Sequence, residues 1–238
     1  MTFSIMLSTM SVGMLRTCGI FVLTLIGSLP LGILVALGRM NQWAPLRGLS
    51  KTDGSSGALI SAVASLKPIQ SVVKVYISIM RGTPLMLQLL VWYFGPYYLF
   101  GWDIGGYRFT AIILGFVLNY AAYFAEIYRS GIEAIPKGQY EAAAVLGYTK
   151  TQTFAKIILP QVIKIILPSI TNEVITLVKD TSLSFTLAYQ EVFSIAKQIS
   201  ASQTSFMPFL IAGVFYYIAN YVVAFFMERF EKRLSYYR

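Results

Sequence analysis

The feature that most constrains this chain is a run of 30 consecutive residues without a charged side chain, from Gln198 to Met227. About 20 apolar residues are enough to cross the hydrocarbon core of a bilayer. The rest of the chain is similar, since 56% of its 238 residues are hydrophobic and only 12% are charged, about half the usual charged share. The sequence therefore predicts an integral membrane protein.

Similar apolar stretches elsewhere predict an all-α fold with five transmembrane helices, in a single transmembrane domain that takes in residues 1–238. The fourth stretch is interrupted by Glu173, Lys179 and Asp180, which are costly at the depth of the membrane centre. We still interpret it as a span, because the apolar runs on either side are too short to be spans alone. The predicted spans are 14–38, 76–100, 108–130, 163–190 and 205–230.

Lysine and arginine residues flank these spans unevenly. Fifteen lie between spans one and two, between spans three and four, or after span five, whereas two lie on the opposite side. An excess of these residues marks the cytoplasmic side, so we predict the N-terminus outside and the C-terminus in the cytoplasm. Their place beside apolar segments also argues against nucleic-acid binding, despite the net charge of +9. The fifteen are Arg39, Arg47, Lys51, Lys67, Lys74, Arg81, Arg129, Lys137, Lys150, Lys156, Lys164, Arg229, Lys232, Arg233 and Arg238, and the two are Arg108 and Lys197.

The composition also limits the chemistry of this chain. Histidine is absent and Cys18 is the only cysteine, which excludes histidine-based catalysis, a structural zinc site and an internal disulfide framework. The pattern G-x-x-x-x-G-K-[ST], which cradles nucleotide phosphates, does not occur. We therefore expect no enzyme activity, no metal site and no cofactor in this chain.

The segment 135–160 between spans three and four predicts a helix, a turn and a second helix. Pro136 suits the first position of a helix, and Gly147 is a natural stop. Thr149 and Gln152 form a capping box that begins the second helix, which Pro160 is expected to end at Leu159 or before. The charge distribution places this segment in the cytoplasm.

This segment resembles the EAA loop of ATP-binding cassette (ABC) importer permeases, through Glu141-Ala142-Ala143, Gly147 and the Ile157–Pro160 block at the family spacing. Three further blocks resemble the polar amino acid branch of that family. They are Arg81-Gly82-Thr83-Pro84-Leu85 with Gln88, Glu126-Ile127-Tyr128-Arg129-Ser130-Gly131-Ile132, and Lys179-Asp180-Thr181-Ser182-Leu183. The stretch 39–75 looks longer than is usual in that branch. It contains a Gly/Ser cluster and a short apolar segment, 58–66, which we interpret as an interfacial or linker segment.

The resemblance implies a type I importer fold in the bacterial cytoplasmic membrane. It implies that Glu141, Ala142, Ala143 and Gly147 dock into a separate ATPase subunit, whose dimer binds the ATP and magnesium. It further implies a second permease, identical or homologous, and an extracytoplasmic binding protein that delivers a polar amino acid. Without the resemblance, the alternative for the same loop is an amphipathic helix that lies on the lipid surface.

Polar residues within the fourth span are candidates for a substrate path. Glu173, Thr176, Asp180 and Ser184 have a spacing that places them on one face of a helix. We add Thr181, and also Thr83, because the Gly82-Thr83-Pro84 step should break regular helix and free backbone groups. The alternative is structural pairing of an acid with Lys179.

Two other polar features favour structural interpretations. Asn119 and Glu126 share a face of the third span, and Glu126 lies near its cytoplasmic end, where a structural contact is expected. Aromatic residues near the outer end of the second span indicate an interfacial belt. They are Trp92, Tyr93, Phe94, Tyr97, Tyr98 and Trp102.

The sequence as a whole therefore predicts the permease subunit of an ATP-driven ABC importer for polar amino acids. The alternative function is an ATP-independent secondary transporter or channel, in which the acids of the fourth span would relay protons or Na⁺. The absence of an evident inverted repeat argues against that alternative. A purely structural membrane subunit would leave the acidic stripe and the EAA loop without a role.

Overall fold

The computed structural model describes residues 2–43 and 67–234, and within these ranges the secondary structure is helical, with no strand. The predicted segment 58–66 lies outside the described residues. The helices are α1 (Phe3–Met40), α2 (Pro68–Gly82), α3 (Leu85–Phe100), α4 (Arg108–Glu133), α5 (Lys137–Val145), α6 (Lys150–Thr153), α7 (Leu159–Asp180), α8 (Val192–Gln203) and α9 (Met207–Leu234).

Four continuous helical segments are long and apolar enough to cross a membrane, namely α1, α4, the segment Lys150–Leu187 and α9. Helices α2 and α3 together also pass this test, but they are bent by 112° at the Gly82-Thr83-Pro84 step. The predicted all-α membrane fold is therefore confirmed, and the predicted helix break is present. The second span differs from the predicted one, because helix already begins at Pro68 instead of 76.

The core joins α1, α3, α4 and α7. Its members are apolar side chains from one face of each helix, with Phe116 and Phe124 of α4 among the largest. A second cluster joins the first turns of α1 to α8 and α9. This packing explains why α1 begins at Phe3, well before the predicted start at 14, since Met6 and Met10 are buried in that cluster.

Close packing between α1 and α4 depends on glycine. A Cβ atom at Gly32 would lie 2.9 Å from the Cβ of Phe124 and 3.3 Å from the backbone carbonyl oxygen of Ala121. Small residues let membrane helices approach in this way and gain dispersion contacts. Neither of these two atoms belongs to the flexible end of a side chain, so neither can move aside cheaply.

We therefore expect Gly32→Ala to destabilise the protein by about 1–3 kcal/mol, the usual cost of overpacking. The matched control is Gly19→Ala in the same helix, where an added Cβ meets no atom within 4 Å. Alanine at position 19 should be neutral or slightly stabilising, because alanine has a higher helix propensity than glycine. Thermal unfolding in detergent measures both, and equal melting temperatures for the two variants would contradict this packing argument.

Pro160 does not end a helix, contrary to the sequence prediction. Helix α6 begins at the predicted capping box, in which the backbone N–H of Gln152 donates to Thr149 Oγ1 and the N–H of Thr149 donates to Gln152 Oε1. It then continues through a π-helical turn, Phe154–Ile158, into α7. Proline is tolerated in the first turn of a helix, and the wide π turn before it relieves the usual clash with the preceding carbonyl.

Helix α9 is the least covered of the spans, with Pro208 and Ala212 as its buried residues. Its first half packs on α8 through Ala212 and Phe215. Near its last turns, Thr171 Oγ1 of α7 donates a 2.7 Å hydrogen bond to Glu231 Oε1. Most of this helix is therefore left for lipid or another chain to cover.

Candidate functional site

The break between α2 and α3 is held by two side-chain amides. Gln88 Nε2 donates to the carbonyl oxygen of Met80 at 3.0 Å and to Thr83 Oγ1 at 2.8 Å. Asn119 Nδ2 of α4 donates to the same Met80 carbonyl at 2.9 Å and to Gln88 Oε1 at 3.0 Å. We call Gln88 and Asn119 the amide staple. It supplies partners to backbone groups that the break frees within the membrane, where water is absent.

The amide staple also fixes the depth of Arg81, the residue after Met80. Asn119 lies near the middle of α4, about 17 Å from its first residue and about 21 Å from its last at 1.5 Å per residue. Arg81 therefore lies level with the middle of α4 and inside the predicted span 76–100, although the count of basic residues assigned it to the loop between spans one and two. Lys74 likewise lies within helix α2. Without these two residues, the predicted cytoplasmic side still has more lysine and arginine residues than the opposite side.

Glu173, Thr176 and Asp180 lie on α7 and are partly buried. Asp180 Oδ2 accepts a 2.7 Å hydrogen bond from the hydroxyl of Tyr120, a buried residue of α4. Lys179 is exposed and forms no ion pair with Asp180 within 4.0 Å. The alternative interpretation, structural pairing with Lys179, therefore does not apply to Asp180, whose carboxylate is held by Tyr120.

The predicted stripe changes direction after Asp180. Residues Thr181–Leu187 form a 3₁₀ helix, which has 3.0 residues per turn instead of 3.6. Ser184 consequently turns away from the face that carries Glu173. Thr181 and Ser184 are fully buried, and their hydroxyls donate to the carbonyls of Val178 and Thr181. Their assignment to a path thus stays a prediction, and within this chain their hydroxyls bond to backbone.

Arg81 adds a positive charge to this acidic region. Its guanidinium lies over the ring of Tyr123, with Cζ 5.3 Å from the ring centroid. Arg81 and Asp180 both act electrostatically on Glu173. We call Arg81, Tyr120, Tyr123, Glu173 and Asp180 the polar cluster. Sequence reasoning missed both tyrosines, although a tyrosine in mid-span signals a hydroxyl that needs a partner.

Helix α5 carries the residues of the EAA pattern. Glu141 and Ala142 are exposed, whereas Ala143 is 1% exposed because its own chain covers it. Ala143 therefore packs within this chain, and its place in the docking surface stays a prediction. Two apolar residues that sequence reasoning missed are exposed at the end of the helix, Val145 by 88% and Leu146 by 73%.

The turn after α5 is a Schellman motif that depends on glycine. The N–H of Gly147 donates to the carbonyl of Ala144, and the N–H of Tyr148 donates to that of Ala143. Gly147 has a φ of 79°, in the left-handed region that glycine adopts without strain. Gly147 therefore ends α5 as predicted and sets the angle at which α6 begins.

An ionic network lies near the predicted cytoplasmic ends of α1 and α4. Arg39 Nε donates to Glu126 Oε1 at 3.4 Å, and Arg129 Nη2 donates to Glu126 Oε2 at 2.6 Å. Arg129 also pairs with Glu133. This geometry agrees with the structural interpretation of Glu126, which joins α1 to α4.

Glu191 is a buried acid that sequence reasoning missed. Its side chain is 0% exposed and caps α8, accepting from the backbone N–H groups of Phe193 at 2.7 Å and Ser194 at 2.6 Å. The hydroxyl of Tyr216 donates to it at 2.8 Å. Because these three donors satisfy the carboxylate, it has a structural role that joins α8 to α9. Among the described residues, no group of three or more acidic or cysteine side chains is placed to hold a metal ion.

Residues 54–236 match the family of binding-protein-dependent transport system inner membrane components. The arginine transport system permease protein ArtQ of Bacillus subtilis (strain 168) is 37% identical over 174 residues, which are 73% of this chain and 78% of that protein. The L-cystine transport system permease protein TcyB of the same organism is 35% identical over 199 residues, 81% of this chain and 83% of that protein.

Solved structures give the same result for the fold. A crystal structure of an amino acid ABC transporter with histidines superposes with a TM-score of 0.78 at 30% identity, covering 95% of this chain and 94% of the other. An inward-facing MetNI methionine ABC transporter superposes with a TM-score of 0.70 at 19% identity, covering 98% of this chain and 99% of the other. The second likeness shows the fold alone.

Proposed function

Since the chain belongs to the family of binding-protein-dependent transport system inner membrane components, we propose that it is the permease subunit of an ATP-driven importer for polar amino acids. Two relatives are named as permeases for arginine and for cystine, and the similar solved structure is of an amino acid ABC transporter with histidines. The chain itself carries out no covalent chemistry in this proposal. It forms the path, and a separate ATPase subunit binds ATP and magnesium.

The observation that carries the proposal is the polar cluster. Charged residues of both signs at mid-membrane depth are costly in lipid, and they normally face a water-filled cavity or protein. Arg81 of α2 and Asp180 of α7 both lie near enough to Glu173 of α7 to act on its carboxyl electrostatically. A polar solute with both charges, such as an amino acid, suits such a region better than an inorganic ion does.

We assign the docking role to α5. Its exposed Glu141 and Ala142, together with the apolar Val145 and Leu146, form a surface that this chain leaves uncovered. An ATPase groove that receives this helix would bury the apolar pair and contact the acid. Buried apolar area is the main favourable term in such an interface.

The connection from α5 to the polar cluster supports coupling. Residues Lys150–Leu187 form one continuous helical segment of 38 residues, about 57 Å at 1.5 Å per residue. It begins directly after the Schellman turn of α5 and carries Glu173 and Asp180. Movement of α5 with the ATPase would therefore be transmitted along this continuous helical segment to the acids.

The remaining partners follow from the surfaces that this chain leaves exposed. A second permease, identical or homologous, would cover part of α9 and α1, whose apolar side chains are largely exposed. A binding protein would deliver the amino acid at the outer side, near α8. In this arrangement the chain spans the bacterial cytoplasmic membrane several times, with its N-terminus outside.

Co-purification tests this function against its alternative. The tagged chain, expressed with the ABC ATPase and binding protein of its own organism, should retain the ATPase through detergent extraction. Reconstituted vesicles should then take up an amino acid only with ATP and the binding protein. Uptake driven by a proton or Na⁺ gradient, with no ATPase bound, would establish the secondary transporter instead.

The orientation gives an independent prediction. A single cysteine introduced at Lys197, in a chain with Cys18→Ser, should react with a membrane-impermeant maleimide added to intact spheroplasts. A cysteine at Lys150 should react only after the membrane is opened, because that side carries the excess of basic residues. Labelling of position 150 in intact spheroplasts would reverse the topology and remove α5 from the compartment of the ATPase.

A further inference from the structure

We propose that Arg81 receives the carboxylate of the transported amino acid, opposite the acids that receive its amino group. This inference rests on the function proposed above and names a binding group for it. Arg81 lies in the last turn of helix α2, level with the middle of the span α4, and its side chain is exposed on the surface of this chain. An arginine at that depth requires a polar partner.

No acid in the described ranges 2–43 and 67–234 pairs with Arg81. Arg81 forms no ion pair within 4.0 Å, although every such pair in the described ranges uses an arginine. Arg39 and Arg129 both bind Glu126 directly. Glu173 is near enough to Arg81 to act on it electrostatically, but the two side chains stay apart. The opposite charges of the polar cluster are therefore left with a gap between them.

A gap of this kind suits an amino acid. Its carboxylate and its ammonium group are both attached to the α-carbon, so a site for both needs an arginine and an acid that are close but not in contact. Arginine presents a planar pair of N–H groups that matches a carboxylate with two parallel hydrogen bonds. Glu173 and Asp180 supply the acceptors for the ammonium group.

The position of Arg81 is fixed before a substrate arrives. The amide staple holds the carbonyl of Met80 next to it, and Gln88 Nε2 also donates to the carbonyl of Thr83 at 3.1 Å. The ring of Tyr123 lies under the guanidinium, and the Arg81 side chain is exposed on this chain. A binding group whose supports are rigid loses little entropy when it closes on its ligand.

The test measures direct binding to the purified permease–ATPase complex in lipid nanodiscs, without the binding protein, which would impose its own selection. Radiolabelled proteinogenic L-amino acids and L-cystine are the probes, tested one at a time. The competitor is the primary amide of the amino acid that binds, which keeps the ammonium group and loses the carboxylate. For the unaltered complex, we expect the amide to compete about 10-fold to 100-fold more weakly, as for the loss of a charge-assisted bidentate contact.

In Arg81→Gln, the amino acid should bind about 10-fold to 100-fold more weakly while the amide binds as before, so that the preference for the carboxylate disappears. Arg81→Lys keeps the positive charge but lacks the planar guanidinium, so this variant should retain part of the preference for the carboxylate. It also carries the test if Arg81→Gln does not fold. The matched control is Arg108→Gln, since Arg108 likewise lies over a tyrosine, Tyr93, at 5.9 Å, but at the end of α4. That variant should keep the full preference.

Three results would overturn the proposal. The preference for the carboxylate could survive in Arg81→Gln. Alternatively, Arg81→Gln combined with Glu173→Gln could restore full binding with full preference, which would make Arg81 a neutralising partner of Glu173. If the unaltered complex binds and transports none of the probes, the proposed function fails together with this inference. If Arg81→Gln still takes up the amino acid and still prefers it over its amide, this inference fails while the proposed function stands.

Discussion

Glu141→Arg is expected to abolish ATP-driven amino acid uptake while the chain stays folded and inserted. Glu141 is exposed on α5 and contributes nothing to the packing of this chain, so its replacement should not alter stability. The reversed charge would meet the matching surface of the ATPase as repulsion, which costs several kcal/mol at an interface. Uptake and ATP hydrolysis in reconstituted vesicles measure the effect, and hydrolysis should no longer respond to the loaded binding protein.

The control for this variant is Glu228→Arg, which reverses an exposed acid on α9, away from α5. It should transport normally. The docking assignment would be refuted by normal uptake with full stimulation of hydrolysis in Glu141→Arg. Loss of uptake in both variants would instead indicate a general sensitivity to added positive charge.

Asp180→Asn is expected to reduce uptake by about tenfold or more with normal folding and ATPase assembly. The asparagine keeps the size of the side chain, and its oxygen can still accept the hydrogen bond from Tyr120, so the link between α4 and α7 remains. What disappears is the negative charge, which a bound ammonium group would use as a charge-assisted acceptor. The measurement is the apparent affinity and maximal rate of uptake in vesicles.

Lys179→Gln is the matched control, because it removes the adjacent charge from an exposed position on the same helix. It should leave the apparent affinity unchanged. If Asp180→Asn also transported with unchanged apparent affinity, Asp180 would be only the partner of Tyr120, and the acidic stripe would have a structural role.

Features that depend on neighbouring residues along the chain could be predicted from the sequence. Gly82-Thr83-Pro84 predicts the break before α3, and Thr149 with Gln152 predicts the capping box of α6. In each case, the residues that determine the local backbone are adjacent or one turn apart. The structure therefore agrees with the sequence at these places.

Features that depend on contacts between distant segments could not be predicted. The depth of Arg81 is set by Asn119 of α4, which is 39 residues from the carbonyl that it binds. The burial of Ala143 and the hydrogen bond from Tyr216 to Glu191 likewise require neighbours that only the folded chain supplies. In the candidate site, the spacing of the acids along the chain was enough to identify them. Tyr120, which donates a hydrogen bond to Asp180, is 60 residues from it and could not be identified in this way.

The amide staple has a consequence for how the protein is made. The Met80 carbonyl depends on Asn119 for its second donor, so α2 and α3 stay incompletely bonded until α4 has been synthesised. Without Asn119, the Oε1 atom of Gln88 also loses its donor, and a polar atom without a partner in lipid costs several kcal/mol, which opposes release of the bent pair into the bilayer by itself. The bent pair and α4 should then leave the insertion machinery together as one unit. A substitution of Asn119 should accordingly lower the number of permease molecules that reach the membrane. The molecules that do insert should keep their transport rate per molecule.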